Sequence, residues 1–298
     1  MIPTESYESI LERYSSALKW MEDIGVRPGP GRTSHYERIV KHWTEAYRTA
    51  SVEEGKQVFP GFVSSMFEIH DFVNVYEAFK DIEPSELGGI IVKLQKAVTG
   101  PINAYEETPR STTARNFLFE AVVAARLHRP AKGAIAILDA PSDTGVRFSG
   151  QKLWIECKRL TTENKIEANV KKASSQLEGL LRKQVGSGHR GVVAIDVSKI
   201  LNPGDQIYVS PNDGQLMRSV DGLMRSLIDR FSPVWERVYA RRSKKVIGTI
   251  VSFTFMSTSE ERSLLVHTSQ WGLNPRHGVS QTDERLEREL VSMLENAP

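Results

Sequence analysis

The chain carries one cysteine, Cys157, in 298 residues. A lone thiol excludes an intrachain disulfide and any Cys-dominated zinc or iron–sulfur centre. Excess charge of one sign is lacking too, since 39 Lys+Arg face 37 Asp+Glu and leave +2. Bulk charge therefore names no partner, and a nucleic-acid surface has to come from local clustering. No apolar run approaches the roughly 18 residues of a membrane span. The opening Met1-Ile2-Pro3-Thr4-Glu5-Ser6-Tyr7 lacks the basic-then-apolar layout of a secretory signal. Also missing are G-x-S-x-G, H-E-x-x-H and a Walker loop, so α/β-hydrolase, zincin and NTPase readings have no support. What is present, 40% hydrophobic and 26% charged residues, is an ordinary globular balance. The expectation is a soluble, cytoplasmic protein built as two regions or one large domain.

Residues 1–110 read as helices. Tyr7, Ile10, Leu11, Tyr14, Leu18 and Met21 recur at spacings of three and four, one apolar stripe. Arg27-Pro28-Gly29-Pro30-Gly31-Arg32 stops that helix, and Ser34 is the expected cap of the next, which carries Ile39, Val40, Trp43, Ala46 and Tyr47. Phe62 to Phe79 is apolar on more than one face and is the expected centre of the bundle. Ser85 to Val98 and Thr113 to His128 give two further helices, the second ended by Arg129-Pro130.

The pattern then changes. Gly133 to Leu138 is a short apolar run, and Lys152 to Lys158 alternates, with Leu153, Ile155 and Cys157 on one face. Helical period returns over Glu163 to Gln184. Val192 to Ile195, Val246 to Phe255 and Leu264 to His267 read as strands. Gly214 to Arg241 reads as a long helix bent near Pro233, and Asp283 to Leu294 as a closing amphipathic helix. The predicted class is α/β (α+β): a helical region over 1–110, then a core over 111–298 with a central mixed β-sheet flanked by helices.

Chemistry concentrates in Ala140-Pro141-Ser142-Asp143 and Glu156-Cys157-Lys158. Glu-x-Lys alone carries little weight, since it also occurs at Glu54-Gly55-Lys56 and Glu163-Asn164-Lys165. Only the copy at 156–158 ends an alternating strand, where period two puts Glu156 and Lys158 on the same face. Ser149-Gly150-Gln151-Lys152 supplies a hairpin turn, which folds Asp143 back toward Glu156. Two carboxylates are hard oxygen ligands for Mg²⁺, and the Cys157 carbonyl lies between the side chains to add a third oxygen. Lys158 would orient or deprotonate a metal-bound water and stabilise developing charge. The bland alternative is a surface hairpin with an ordinary Glu156–Lys158 ion pair.

This strand–turn–strand, with Asp143, twelve residues ending in Ile155, then Glu156-Cys157-Lys158, resembles the PD-(D/E)xK nuclease superfamily. The resemblance covers about residues 111–200 and implies a restriction-endonuclease-like core. It also implies a glutamate on the helix before the first strand, for which Glu120 in Arg115-Asn116-Phe117-Leu118-Phe119-Glu120 fits. A glutamine on the helix after the motif, found in some branches, is matched by Gln176. The family usually has Pro directly before the aspartate, whereas here Ser142 intervenes, which makes Asp139 a rival to Asp143. Activity implied by the resemblance is Mg²⁺-dependent phosphodiester hydrolysis, with Mn²⁺ able to substitute. The substrate is nucleic acid, DNA being favoured over RNA, in a restriction, phage-defence or repair setting. The N-terminal helices would then recognise DNA or a partner protein such as a helicase. The alternative is a catalytically silent nucleic-acid-binding or assembly module on the same fold.

Local charge agrees with a nucleic-acid partner. Between Gln151 and Arg190 nine basic residues, among them Lys165, Lys171, Lys172 and Arg190, face only Glu156, Glu163, Glu167 and Glu178. Such a surface gains affinity by counterion release. Gly186-Ser187-Gly188-His189-Arg190-Gly191 matches G-x-G-x-x-G by letters but follows a helix and opens a strand, the reverse of a dinucleotide loop. His189 and Arg190 are still candidates for phosphate contact. His35 and His42 lie seven apart with no evident partner ligands, so packing or surface roles are expected.

Overall fold

Ser6 opens the first helix: its hydroxyl accepts the Ser9 amide at 3.1 Å from the extended backbone of an N-cap. The computed structural model describes residues 5–108, 111–204, 206–261 and 265–295. In chain order its elements are α1 (Tyr7–Asp23), α2 (Arg32–Ala46), α3 (Val52–Phe79), α4 (Gly88–Ala97), α5 (Thr113–Leu127), β1 (Ile135–Ala136), β2 (Thr144–Phe148) and β3 (Gln151–Arg159). They continue with α6 (Ile166–Lys183), β4 (His189–Asp196), α7 (Ser198–Leu201), β5 (Ile207–Ser210), α8 (Asp213–Tyr239), β6 (Val246–Ser259), β7 (Val266–Pro275) and α9 (Gln281–Glu295). The chain is thus mixed α/β, with strands paired in the order β1-β2-β3-β4-β6-β5 and β7 also on β6. The β1–β2 and β2–β3 pairs are antiparallel, while β3–β4, β4–β6 and β5–β6 are parallel.

Two compact units emerge. The first holds Met1–Leu118, Asn202–Leu216 and Thr254–Thr268; the second holds Phe119–Leu201, Met217–Phe253 and Ser269–Pro298. The division falls at Leu118/Phe119 rather than at 110/111 and gives two later segments to the helical unit.

In the first unit the side chains of Tyr14, Tyr36, Phe62, Phe72 and Phe79 are buried among the helices. A charged network is buried with them. Arg32 donates to Glu68 at 2.7 Å, Arg115 donates to the other oxygen of Glu68, and Arg115 also reaches the carbonyls of Pro101 and Ile102. The Arg32 guanidinium lies over the rings of Tyr36 and Phe72. Two sequence expectations need correction here. Helix α2 starts at Arg32 with Gly31 as its N-cap, and Ser34 instead donates its hydroxyl to the Gly29 carbonyl at 2.7 Å. Helix α3 begins ten residues before Phe62, at Val52, where Ser51 and Glu54 form a reciprocal capping box. Its first turns are mostly exposed, so they carry no apolar stripe to read. Strand β5 in this unit, paired with residues 256–259, was not expected from the sequence.

The second unit is organised on both faces of its sheet. Leu153, Ile155 and Cys157 of β3 join Val192 and Ala194 of β4, Phe119, Val123 and Leu127 of α5, and Leu286, Leu290 and Leu294 of α9 in one buried cluster. The opposite face of the strands meets α6, whose Leu177 and Leu181 lie so close to Gly191 that a Cβ there would stand 3.1–3.3 Å from them. Buried in this unit is Glu287 of α9, wholly enclosed, with both carboxyl oxygens lacking a hydrogen-bond partner among the described residues. Burial first, then the charges of Asp283 and Glu284, push its pKa up to about 8. Pro233 lies within α8, which continues to Tyr239. Strands β6 and β7 outrun their expected spans, and the expected start of β7 at Leu264 lies outside the described residues.

Candidate active site

The hairpin sets the geometry. Ser149 and Gly150 turn the chain with positive φ at both positions (48° and 72°), as a two-residue hairpin loop requires, and Phe148 then pairs with Gln151. From that end the register runs Arg147↔Lys152, Val146↔Leu153, Gly145↔Trp154 and Thr144↔Ile155. One step further brings Asp143 opposite Glu156, and opposed residues of an antiparallel pair share a face. Gly145 packs closely beside this site: a Cβ there would stand 3.1 Å from the Trp154 ring, which would have to give way slightly.

Beyond the last paired residue, the Asp143 side chain takes over from the backbone ladder. Its Oδ2 accepts the Cys157 amide at 2.8 Å and the Lys158 ammonium at 3.0 Å. Lys158 Nζ also donates to Glu156 Oε2 at 3.2 Å and to the Cys157 carbonyl at 3.0 Å. The side chains grade from depth to rim: Glu156 is 6% exposed, Lys158 16% and Asp143 23%. Asp139, by contrast, is exposed and outside the group, so Asp143 is the aspartate beside Glu156.

Electrostatics follow from that arrangement. Burial, then the Asp143 charge, raise Glu156 to about 7 against the opposing pull of Lys158. For Lys158, burial works against the charge, but Asp143 and Glu156 more than offset it and hold the ammonium above its ordinary range. Among the described residues no group of three or more His, Cys, Asp and Glu side chains gathers as a metal site. The local set is sparser: two carboxylates and one carbonyl, all hard oxygens. That suits Mg²⁺, which keeps several waters and accepts one or two carboxylates.

The other predicted residues sit on neighbouring elements. Glu120 is buried in α5, the helix packed on the Leu153–Ile155–Cys157 face, whereas period two places Glu156 and Lys158 on the other face. The hydrogen bonds found for Asp143, Glu156 and Lys158 run among themselves and to the Cys157 backbone. Gln176 is exposed on α6, as are Lys171 and Lys172, while Lys165 is exposed at the entry to that helix. His189 is engaged: its Nδ1 accepts the Trp154 indole N–H at 3.2 Å. Arg190 is held by Asp283 at 2.6 Å and by the Ser187 carbonyl at 2.7 Å. The sequence reading passed over Asp196, which ends β4 in register with Arg159 and pairs with it at 3.1 Å. An acid closing an apolar strand and followed two residues later by Ser198, whose amide it accepts, is the signal that could have found it.

Compared with known proteins, the chain matches no family model, no curated protein and no solved structure.

Proposed function

We propose that the protein is a Mg²⁺-dependent phosphodiesterase acting on nucleic acid, with Mn²⁺ able to substitute. The observation that carries this reading is the convergence of Asp143 Oδ2, Glu156 Oε2 and the Cys157 carbonyl on a single point, with Lys158 among them. Asp143, Glu156 and that carbonyl would hold the ion. Bound there, Mg²⁺ supplies neutralisation of a phosphate and acidification of a water. Lys158 orients that water and stabilises charge that appears mainly in the transition state. The Cys157 amide fixes the Asp143 carboxylate, so the rim ligand is held by backbone and needs no separate positioning side chain. Exposed Lys165, Lys171 and Lys172 offer phosphate contacts along one surface. DNA is the favoured substrate, and a restriction, defence or repair setting is the context that the motif resemblance suggests.

A second reading, the catalytically silent binding module, is favoured by one feature: Lys158 already satisfies both carboxylates, as a structural ion pair would. The two readings part in one assay. Purified protein is incubated with plasmid DNA, linear DNA and RNA in Mg²⁺, Mn²⁺ or EDTA, alongside Asp143→Asn. Metal-dependent cleavage lost in the variant supports the enzyme. Equal binding with no cleavage, under conditions in which partner proteins have also been added, supports the module.

A further inference from the structure

All three N–H donors of the Lys158 ammonium have an acceptor within 3.2 Å: Asp143, Glu156 and the Cys157 carbonyl. A lysine so occupied cannot orient a water. Those same three oxygens are the donor set for a divalent ion. An ion seated among those three oxygens would take the position that the ammonium now fills, and two cations at contact range repel each other.

We propose that Lys158 is an internal competitor for the metal: it holds the ion's position, and metal entry displaces it. Regulation is then built into the ligand set. Loading the site and freeing the ammonium for its work on water are one event, so an unloaded site cannot present the lysine to substrate. Lys158 is suited to this exchange. Its flexible four-carbon stem lets the ammonium leave without moving β3, and its side chain keeps 16% exposure at the rim. The inference rests on the metal-binding reading above and deepens it.

The test uses the full chain and two readouts other than activity. In the first, Mg²⁺ is titrated into ¹⁵N-labelled protein, and the Lys158 ammonium resonance is followed. Its three hydrogen bonds slow proton exchange enough to make it visible, and Lys158→Arg identifies it by its loss. Displacement predicts that the resonance shifts or vanishes as Mg²⁺ saturates the site. In the second, Mn²⁺ affinity is measured by calorimetry for wild type, Lys158→Met and Glu156→Gln. Lys158→Met should bind on the order of tenfold tighter or more, since the competing charge is gone, and Glu156→Gln should bind much more weakly. An unchanged Lys158 resonance in Mg²⁺-saturated protein overturns the competition while the metal reading stands. No binding in any form, or binding that Glu156→Gln leaves intact, overturns both. The resonance experiment needs no variant beyond its identification, so it stands even if Lys158→Met fails to fold.

Discussion

Each unit buries a three-member charge network, and the two are built in opposite senses. In the helical unit one anion, Glu68, holds two cations, Arg32 and Arg115, whose side chains are 0% and 3% exposed. In the sheet unit one cation, Lys158, holds two anions, and Asp143 keeps 23% exposure at the rim. The helical network uses guanidinium, which stays charged in any surroundings, packs on aromatic rings and ties distant helices together. The sheet network uses an ammonium and carboxylates, groups that change protonation and partners readily. Its members all come from one hairpin, so little structure hangs on them. Buried charge in the first unit is closed off from solvent; in the second it grades out to a rim that solvent reaches.

Breaking the two networks should therefore give different losses. The largest expected effect is on Lys158: its replacement by Ala should lower single-turnover cleavage by about 10²–10³ while the unfolding midpoint stays near wild type. Next comes Glu68→Ala, which strands two buried guanidinium groups and should cost about 3–5 kcal/mol in chemical denaturation. Wild-type stability in that variant would mean that the helical network is not architectural.

The pH dependence sharpens the contrast within the sheet unit. Glu287 has a folded pKa near 8, above the ordinary carboxylate value. Below that ordinary range both folded and unfolded states hold the proton, and nothing is lost. As pH rises toward about 8 the unfolded chain releases its proton first, so stability falls across that window. Glu156, raised to about 7, acts in the same direction. Denaturation series for wild type and Glu287→Gln should converge in acid and separate toward pH 8, with the variant more stable. Parallel curves would show that Glu287 is not titrating from a buried state. The smallest effect belongs to the exposed lysines: Lys171→Ala should weaken DNA binding modestly and lower its salt slope, with turnover of bound substrate preserved.

The hairpin and its cluster were legible because period two and a turn signal suffice to place Asp143, Glu156 and Lys158 together. The same parity argument, carried one element further, bears on Glu120. Helix α5 packs through Phe119, Val123 and Leu127 on the Cys157 face, and sequence alone does not say which face a helix covers. Helix α3 was placed too late because Val52, at its start, is 75% exposed and pattern reading follows burial. The Ser51–Glu54 box was the signal available there. Strand β5 escaped because Ile207–Ser210 is too short to show alternation, and Val209 within it is 69% exposed. Ser34 resembled a cap by residue type, but Gly31 reaches the N-cap position first.

The turn at Ser149-Gly150 has a consequence for how this gene can vary. It acts as a ruler: with one pairing fixed at Phe148↔Gln151, every later pairing up to the level of Asp143 and Glu156 is counted off from it. Point changes along the exposed edge of the hairpin leave that count alone. An insertion or deletion of a single residue in the loop does not, because a one-residue slip turns each side chain of one strand to the other face. Asp143 and Glu156 would then lie on opposite sides of the sheet. In a deep mutational scan, the segment should tolerate many substitutions while rejecting insertion or deletion of a single residue.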